Sequence, residues 1–152
     1  MNSLADEQLI AKLYQANNAG VKIQLIVRGM CCLVAGIKGY SENIDVISIV
    51  DKYLEHARVH IYCNGGNELI YLTSADFMTR NIDNRVEVGF PVYDEQLRKE
   101  IRDIINLQLS DNTKAREINS QNNNKYHKTK SELLCRAQID IYTYLKNKNN
   151  PN

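Results

Sequence analysis

"YLEHARVHIYCNGGNELIYLTSADFMTRNIDNRVEV", residues 53–88, decides the fold. Within it RVHIYC (58–63) alternates apolar and polar positions, the period of a strand with two unlike faces. Asn64-Gly65-Gly66-Asn67 follows, and a tight reversal requires positive φ, which glycine and asparagine tolerate. ELIYLTS (68–74) is then the returning strand, and RVEVGFPV (85–92) reads as another, stopped near Pro91. The same stretch carries two of the three histidines, His56 and His60, together with a Thr-Ser-Ala-Asp run. So much polar chemistry on strands that otherwise read as core points to a site.

Upstream, residues 5–18 read as a helix, with Leu9, Leu13 and Ala16 on one face, Ile10 and Tyr14 beside them, and Asn17, Asn18 and Gly20 as the stop. KIQLIVRG (22–29) reads as a buried strand. A loop with Gly36 and Gly39 as punctuation leads to IDVISIV (44–50), which fits a short strand or the start of a helix; the strand is favoured, running into a short turn near Tyr53 and Leu54. Downstream, residues 94–110 form an amphipathic helix with Leu97, Ile101, Ile104, Ile105 and Leu109 on its apolar face. Residues 119–130 are polar and expected to be mobile. Residues 131–148 predict a final helix with Ser131 at its N-cap, followed by a disordered NKNNPN tail. The pattern is of the α/β class: a mixed β-sheet flanked by helices, with C-terminal helices.

A chain of 152 residues is ordinarily one domain, and 43% apolar with 24% charged residues is ordinary for a globular one. A net charge of +1, from 19 basic and 18 acidic residues, gives no global basic field and argues against nucleic acid as a partner. Any anion site is local. No apolar run approaches the roughly 18 residues of a membrane span, and MNSLADEQL lacks the features of a signal peptide. A cytoplasmic protein with reduced thiols is therefore expected, and Cys31, Cys32, Cys63 and Cys135 form no C-x-x-C pair for zinc. There is no P-loop and no metal-ligand motif.

Arg28 closes a buried strand, where open α/β sheets bind ligands. His56 and Arg58 share a face if the chain there is extended. Ser74, Asp76, Arg80, Asn81 and Arg85 form a second polar cluster after the returning strand. Arginine forks suit phosphate oxygens, and imidazole exchanges a proton or a phosphoryl group near neutral pH. The alternative carries equal weight from spacing alone: the arginines are surface charges neutralised by Asp76, Asp83 and Glu87. His60 reads as structural and His127 as solvent-exposed.

The blocks IVRGMCCL (26–33), YLEHAR (53–58), NGGNE (64–68) and SADFMTRNIDNRVEV (74–88), with DNTKAREI (111–118), resemble the C-terminal domain of type-1 polyphosphate kinases. The resemblance covers residues 1–118 and implies a division into that domain and a 119–152 segment of polar loop, final helix and tail. It implies a phospholipase-D-like half: His56-Ala57-Arg58, Thr73-Ser74-Ala75-Asp76, Asn81 and Glu87 are similar to a degenerate His-x-Lys…Gly-Ser-x-Asn…Glu half-site. The family's reaction is reversible transfer of the terminal phosphate of ATP to polyphosphate through a phosphohistidine. By resemblance Arg28 and His56 touch the nucleotide phosphates, with His56 catalytic, while Arg58, Arg80 and Arg85 are candidates for a basic lane along polyphosphate. Glu55 and Glu87 are the residues that would neutralise Arg58 and Arg85. The phosphorylated histidine and the Mg2+ ligands are implied to lie outside this chain, so the isolated fragment is expected to be inactive. The implied partners are the rest of the kinase chain, ATP, polyphosphate and further copies of the full-length enzyme, which is cytoplasmic with membrane association. Phe77, Thr79 and Ala57 depart from the Trp, Pro and Ser frequent in the family. Two other readings stay open: a phospholipase-D-type phosphodiesterase, which needs His-x-Lys, and a non-catalytic assembly module.

Overall fold

The structure is a computed structural model that describes residues 1–129 and 132–149. Helix α1 (Glu7–Asn18) starts where the Asp6 carboxylate accepts the Leu9 N–H at 2.9 Å. Asp6 also accepts from the Thr79 hydroxyl at 3.0 Å, so one buried side chain caps a helix and ties down a distant segment. Strands β1 (Ile23–Ile26) and β2 (Ile44–Ser48) run parallel, with Ile23 opposite Ile44 and Ile26 opposite Ile47. Ile44 and Val46 of β2 join Leu4, Val27, Leu33 and Ala35 in one core, against which Ile10, Leu13 and Tyr14 of α1 pack. Ile47 and Ile49 enter a second core with Ala115 and Ala137. Covered on both faces, β2 is the central strand its β-branched run predicts.

Strands β3 (Val59–Tyr62), β4 (Leu69–Thr73) and β5 (Gly89–Pro91) form an antiparallel sheet, with the short helix α2 (Thr79–Asp83) between the last two. The expected reversal is present. Asn64, Gly65 and Gly66 all take positive φ, in a longer turn than a two-residue hairpin. Helix α3 (Glu95–Leu109) is capped by Asp94, which accepts the Leu97 N–H at 2.9 Å. A two-residue strand β6 (Arg116–Glu117) pairs antiparallel with β2. Helix α4 (Ala137–Asn149) lies against α3, where the Tyr144 hydroxyl donates to Asp103 at 2.8 Å.

The α/β architecture and the helix-flanked strands match expectation, and particular boundaries differ. The strands fall into two three-stranded sheets, ordered β1-β2-β6 and β3-β4-β5. Of the strand expected over 85–92, β5 spans 89–91, with Val88 C=O accepting from Ser74 N–H and Val92 N–H donating to Ile70 C=O, both at 2.9 Å, and 85–87 falling outside the pairing. Val86 is 99% exposed there, because β5 is an edge that nothing among the described residues covers. Leu97, expected on the apolar face of α3, is 53% exposed. The final helix begins at Ala137, six residues after its predicted start; Ser131, its predicted cap, lies outside the described residues. α4 ends at Asn149, one residue beyond the predicted end at 148, and residues 150–152 of the expected tail lie outside the described residues.

The polar segment after β6 folds back on it: Glu117 N–H donates to Lys125 C=O and His127 N–H to Ala115 C=O, both at 2.9 Å. The Arg116 guanidinium stacks 3.3 Å over the Tyr126 ring, which orders residues that composition reads as mobile. Asp111 holds the junction of α3, β6 and α4. Fully buried, its Oδ1 accepts the N–H groups of Thr113, Lys114 and Ala115, and its Oδ2 accepts that of Ala137 at 2.8 Å.

Candidate functional site

The segment that joins β2 to β3 carries His56 and has no regular structure of its own. It is held by α4 and the residue before it. Arg136 forks onto Asp51 at 2.8 and 2.7 Å, and the guanidinium keeps the Asp51 carboxyl below the usual carboxylate range. The buried Gln138 amide accepts the Tyr53 N–H at 2.9 Å and donates to the Tyr53 C=O at 2.8 Å, as a neighbouring strand would. It also donates to Glu55 at 3.1 Å. A segment assigned to a separate C-terminal region thus clamps the approach to His56. Replacing Gln138 by alanine strands Tyr53 backbone groups and is expected to cost about 1–3 kcal/mol. Urea unfolding would read that loss, and amide exchange at Tyr53 would quicken.

Beyond this clamp lies a polar network centred on Asp76, which is 4% exposed. Arg58 Nε donates to Asp76 Oδ1 at 3.1 Å and Arg58 Nη2 to Oδ2 at 3.4 Å. The Asn2 N–H donates to Oδ1 at 2.8 Å. Burial raises the Asp76 pKa, yet the Arg58 guanidinium and the backbone N–H groups of Asn2 and Ser3 outweigh it, so the carboxyl sits below its ordinary range. His56 Nε2 lies 3.6 Å from Asp76 Oδ2 and 2.7 Å from Arg58 Nη2. A guanidinium nitrogen can only donate, so this contact places the lone pair on Nε2 and the ring N–H on Nδ1. The imidazole is 42% exposed.

Arg28 reaches the same network. Its Nε and Nη2 donate to Asn2 Oδ1 at 3.0 and 2.7 Å. Asn2 is therefore a bridge, with its side chain on Arg28 and its backbone on Asp76. The next residue must be small: a Cβ at Gly29 would stand 3.0 Å from the Asn2 carbonyl oxygen. Among the described residues no carboxylate lies within 4.0 Å of Arg28, Arg80 or Arg85. Arg58 does have a partner, Asp76 rather than Glu55, which bonds to Gln138 and Gln108. Glu87 accepts from the Ser74 hydroxyl and from Asn81 Nδ2 at 2.5 Å, and these bonds lower its pKa, with Arg85 and Arg58 adding to them. Arg80 and Arg85 stand exposed on and after α2.

The other histidines lie outside the cluster. His60 is half-buried edge-on to Phe77, with ring centroids 4.9 Å apart, and burial lowers its pKa. His127 is partly buried, not freely solvated as expected. The return of its backbone to Ala115 draws it in, with Nδ1 3.8 Å from Glu117. All four cysteines are free. Burial and Asp140 push the Cys135 thiol up to about 12, which removes it as a nucleophile at neutral pH. Among the described residues no group of three or more His, Cys, Asp or Glu could hold a metal, and no helix is long and apolar enough to cross a membrane.

Sequence reading singled out Arg28, His56, Arg58 and Asp76, and the structure joins all four in one chain of contacts. It missed Asn2 and Gln138, since a lone amide residue carries no periodic signal.

The family described as "Polyphosphate kinase C-terminal domain 2" matches residues 1–138. A polyphosphate kinase of Vibrio cholerae serotype O1 is 50% identical over 147 residues, covering 97% of this chain and 21% of that protein. One of Escherichia coli strain K12 is 47% identical over 151 residues, covering 99% of this chain and 22% of that protein. The crystal structure of polyphosphate kinase from Porphyromonas gingivalis superposes with a TM-score of 0.93 at 51% identity, over 97% of this chain and 23% of that one. The chain thus spans about a fifth of the length of the curated relatives it matches. These matches run past residue 118 into the segment that carries Arg136 and Gln138.

Proposed function

Because the chain belongs to the polyphosphate kinase C-terminal domain 2 family, we propose that it supplies one wall of a phosphoryl-transfer site whose nucleophile lies elsewhere in a longer polypeptide. The whole enzyme moves the terminal phosphate of ATP reversibly onto polyphosphate through a phosphohistidine outside this chain. Arg28 binds phosphate oxygens, and His56 donates from Nδ1 to the oxygen that gains charge as the phosphoryl group transfers. The observation that carries this reading is a guanidinium with no carboxylate partner among the described residues, tied through Asn2 and Asp76 to a half-exposed imidazole. Phosphoryl transfer depends chiefly on positioning and charge stabilisation, which these two groups provide.

Arg80 and Arg85, also without carboxylate partners among the described residues, are the better candidates for a polyphosphate lane, since Arg58 is committed to Asp76. A Mg2+ ion does not fit the residues present. Among the described residues no group of three or more His, Cys, Asp or Glu converges, and Asp76 is engaged by Arg58 and Asn2, so its ligands belong to the remainder of the enzyme. Standing alone, the chain would bind phosphate weakly and transfer none.

Substituting Arg28 by alanine in the full-length enzyme removes a charge-assisted contact of about 1.5–3 kcal/mol, about 10- to 150-fold in kcat/KM for ATP. Unchanged kinetics in a folded Arg28→Ala enzyme would discard the clamp role.

A further inference from the structure

Two strand edges face each other across a groove of about 540 Å³. β1 ends one sheet and β3 ends the other. On β1 the N–H groups of Ile23 and Val27 point to the β2 side, donating to Asn43 and Ile47, so Gln24 and Ile26 turn their backbone groups the opposite way. On β3 the phase follows from Thr73 N–H donating to Arg58 C=O at 3.1 Å. Residues 58, 60 and 62 serve β4, and Val59 and Ile61 point away from it. Gln24, Ile26, Val59 and Ile61 all line the groove. Both rims are rows of backbone donors and acceptors of the kind that templates another strand.

One end of the groove is already laddered. Met1 N donates to Ile26 C=O at 2.9 Å, and Arg28 N–H donates to Met1 C=O at 3.2 Å. That pair of bonds is a parallel pairing of Met1 with Val27. Asn2 extends it by accepting the Gly29 N–H at 2.8 Å. Continued backwards from Met1, the same ladder meets the Ile26 N–H and the Gln24 C=O next, inside the groove.

We propose that the groove between β1 and β3 receives an extended strand, parallel to β1, formed by the polypeptide immediately N-terminal to Met1 in the full-length protein. The direction of the Met1 ladder selects this occupant, and relatives about five times the length of this chain supply it. Seated there, the strand joins the two sheets into one continuous layer. Its side chains are apolar where they meet Ile49, Ile105 and Leu109 and polar where they meet Glu55, Glu68 and Arg102, which line the same groove. It also fixes Asn2, the residue that holds both Arg28 and Asp76, and so couples the preceding part of the enzyme to the site.

Amide hydrogen exchange on the 152-residue chain and on a full-length polyphosphate kinase containing it tests the proposal. The amides of Gln24, Ile26, Val59 and Ile61 are expected to exchange at least about 100-fold more slowly in the full-length protein, while Leu25, which faces β2, changes little. Equal exchange in the two proteins overturns the proposal. So does protection in the short chain that rises with its concentration, which would assign the edges to a second copy. Ile61→Pro gives an independent reading, because it removes an N–H that β4 does not use. The proposal expects a small loss of Tm in the short chain and a much larger one in the full-length protein; equal losses contradict it.

Discussion

Alanine at position 56 of the full-length enzyme is expected to slow polyphosphate formation by about 10²- to 10⁴-fold, the usual contribution of a positioned proton donor. The ring is aimed by Arg58, whose Nη2 donates to Nε2 at 2.7 Å and fixes the lone pair there. Nδ1 is the ring nitrogen that this contact leaves unused. Because Asp76 takes its main hydrogen bonds from Arg58 and Asn2, deleting the imidazole leaves the network in place, and the variant should fold as the parent does. A loss confined to kcat, with ATP binding little altered, identifies a group that acts in the transition state. His56→Gln retains a donor and should recover part of the rate. A His56→Ala enzyme with the parent's turnover would leave the chain as an assembly module.

Substituting Asp111 by alanine is expected to lower the stability of the chain by about 3–5 kcal/mol, among the largest effects of a single change. Four backbone N–H groups, those of Ala115 and Ala137 buried and those of Thr113 and Lys114 part-buried, lose their acceptor at once, and the loop from α3 to β6 comes apart from the start of α4. The midpoint of urea unfolding measures this. Asp111→Asn keeps an oxygen for Thr113, Lys114 and Ala115 and should cost less. The damage should also travel: α4 carries Gln138, which holds Tyr53, so full-length Asp111→Ala enzyme is expected to lose activity beyond its loss of folded protein. An alanine variant with the parent's urea midpoint would remove Asp111 as the keystone of this junction.

Much of the fold was legible because it rests on short-range rules. The turn at Asn64, Gly65 and Gly66 needs positive φ, and these residues announce it. Asp6 and Asp94 stand where helix N-termini need an acceptor, immediately before Glu7 and Glu95. The β-branched run at 44–48 reads as a strand because both its faces are covered. The errors fall where an edge or a side-chain anchor decides. Val86 and Val88 have the pattern of core residues, yet their side chains are exposed at the outer edge of the sheet. β6 is only two residues long, below any period, and the polar segment after it is ordered by a guanidinium on a ring.

The residue order by itself determined the class of fold, the hairpin, the starts of α1 and α3 to within two residues, and the kinship, since each rests on neighbours a few positions apart or on blocks in a recognisable order. Only the tertiary structure decided that Asn2 joins Arg28 to Asp76, that Gln138 holds a backbone 85 residues away, and that β1 and β3 face each other as open edges. Such contacts pair one side chain with one distant backbone group. They leave no spacing or periodicity along the chain, and they exist only once packing has brought the two ends together.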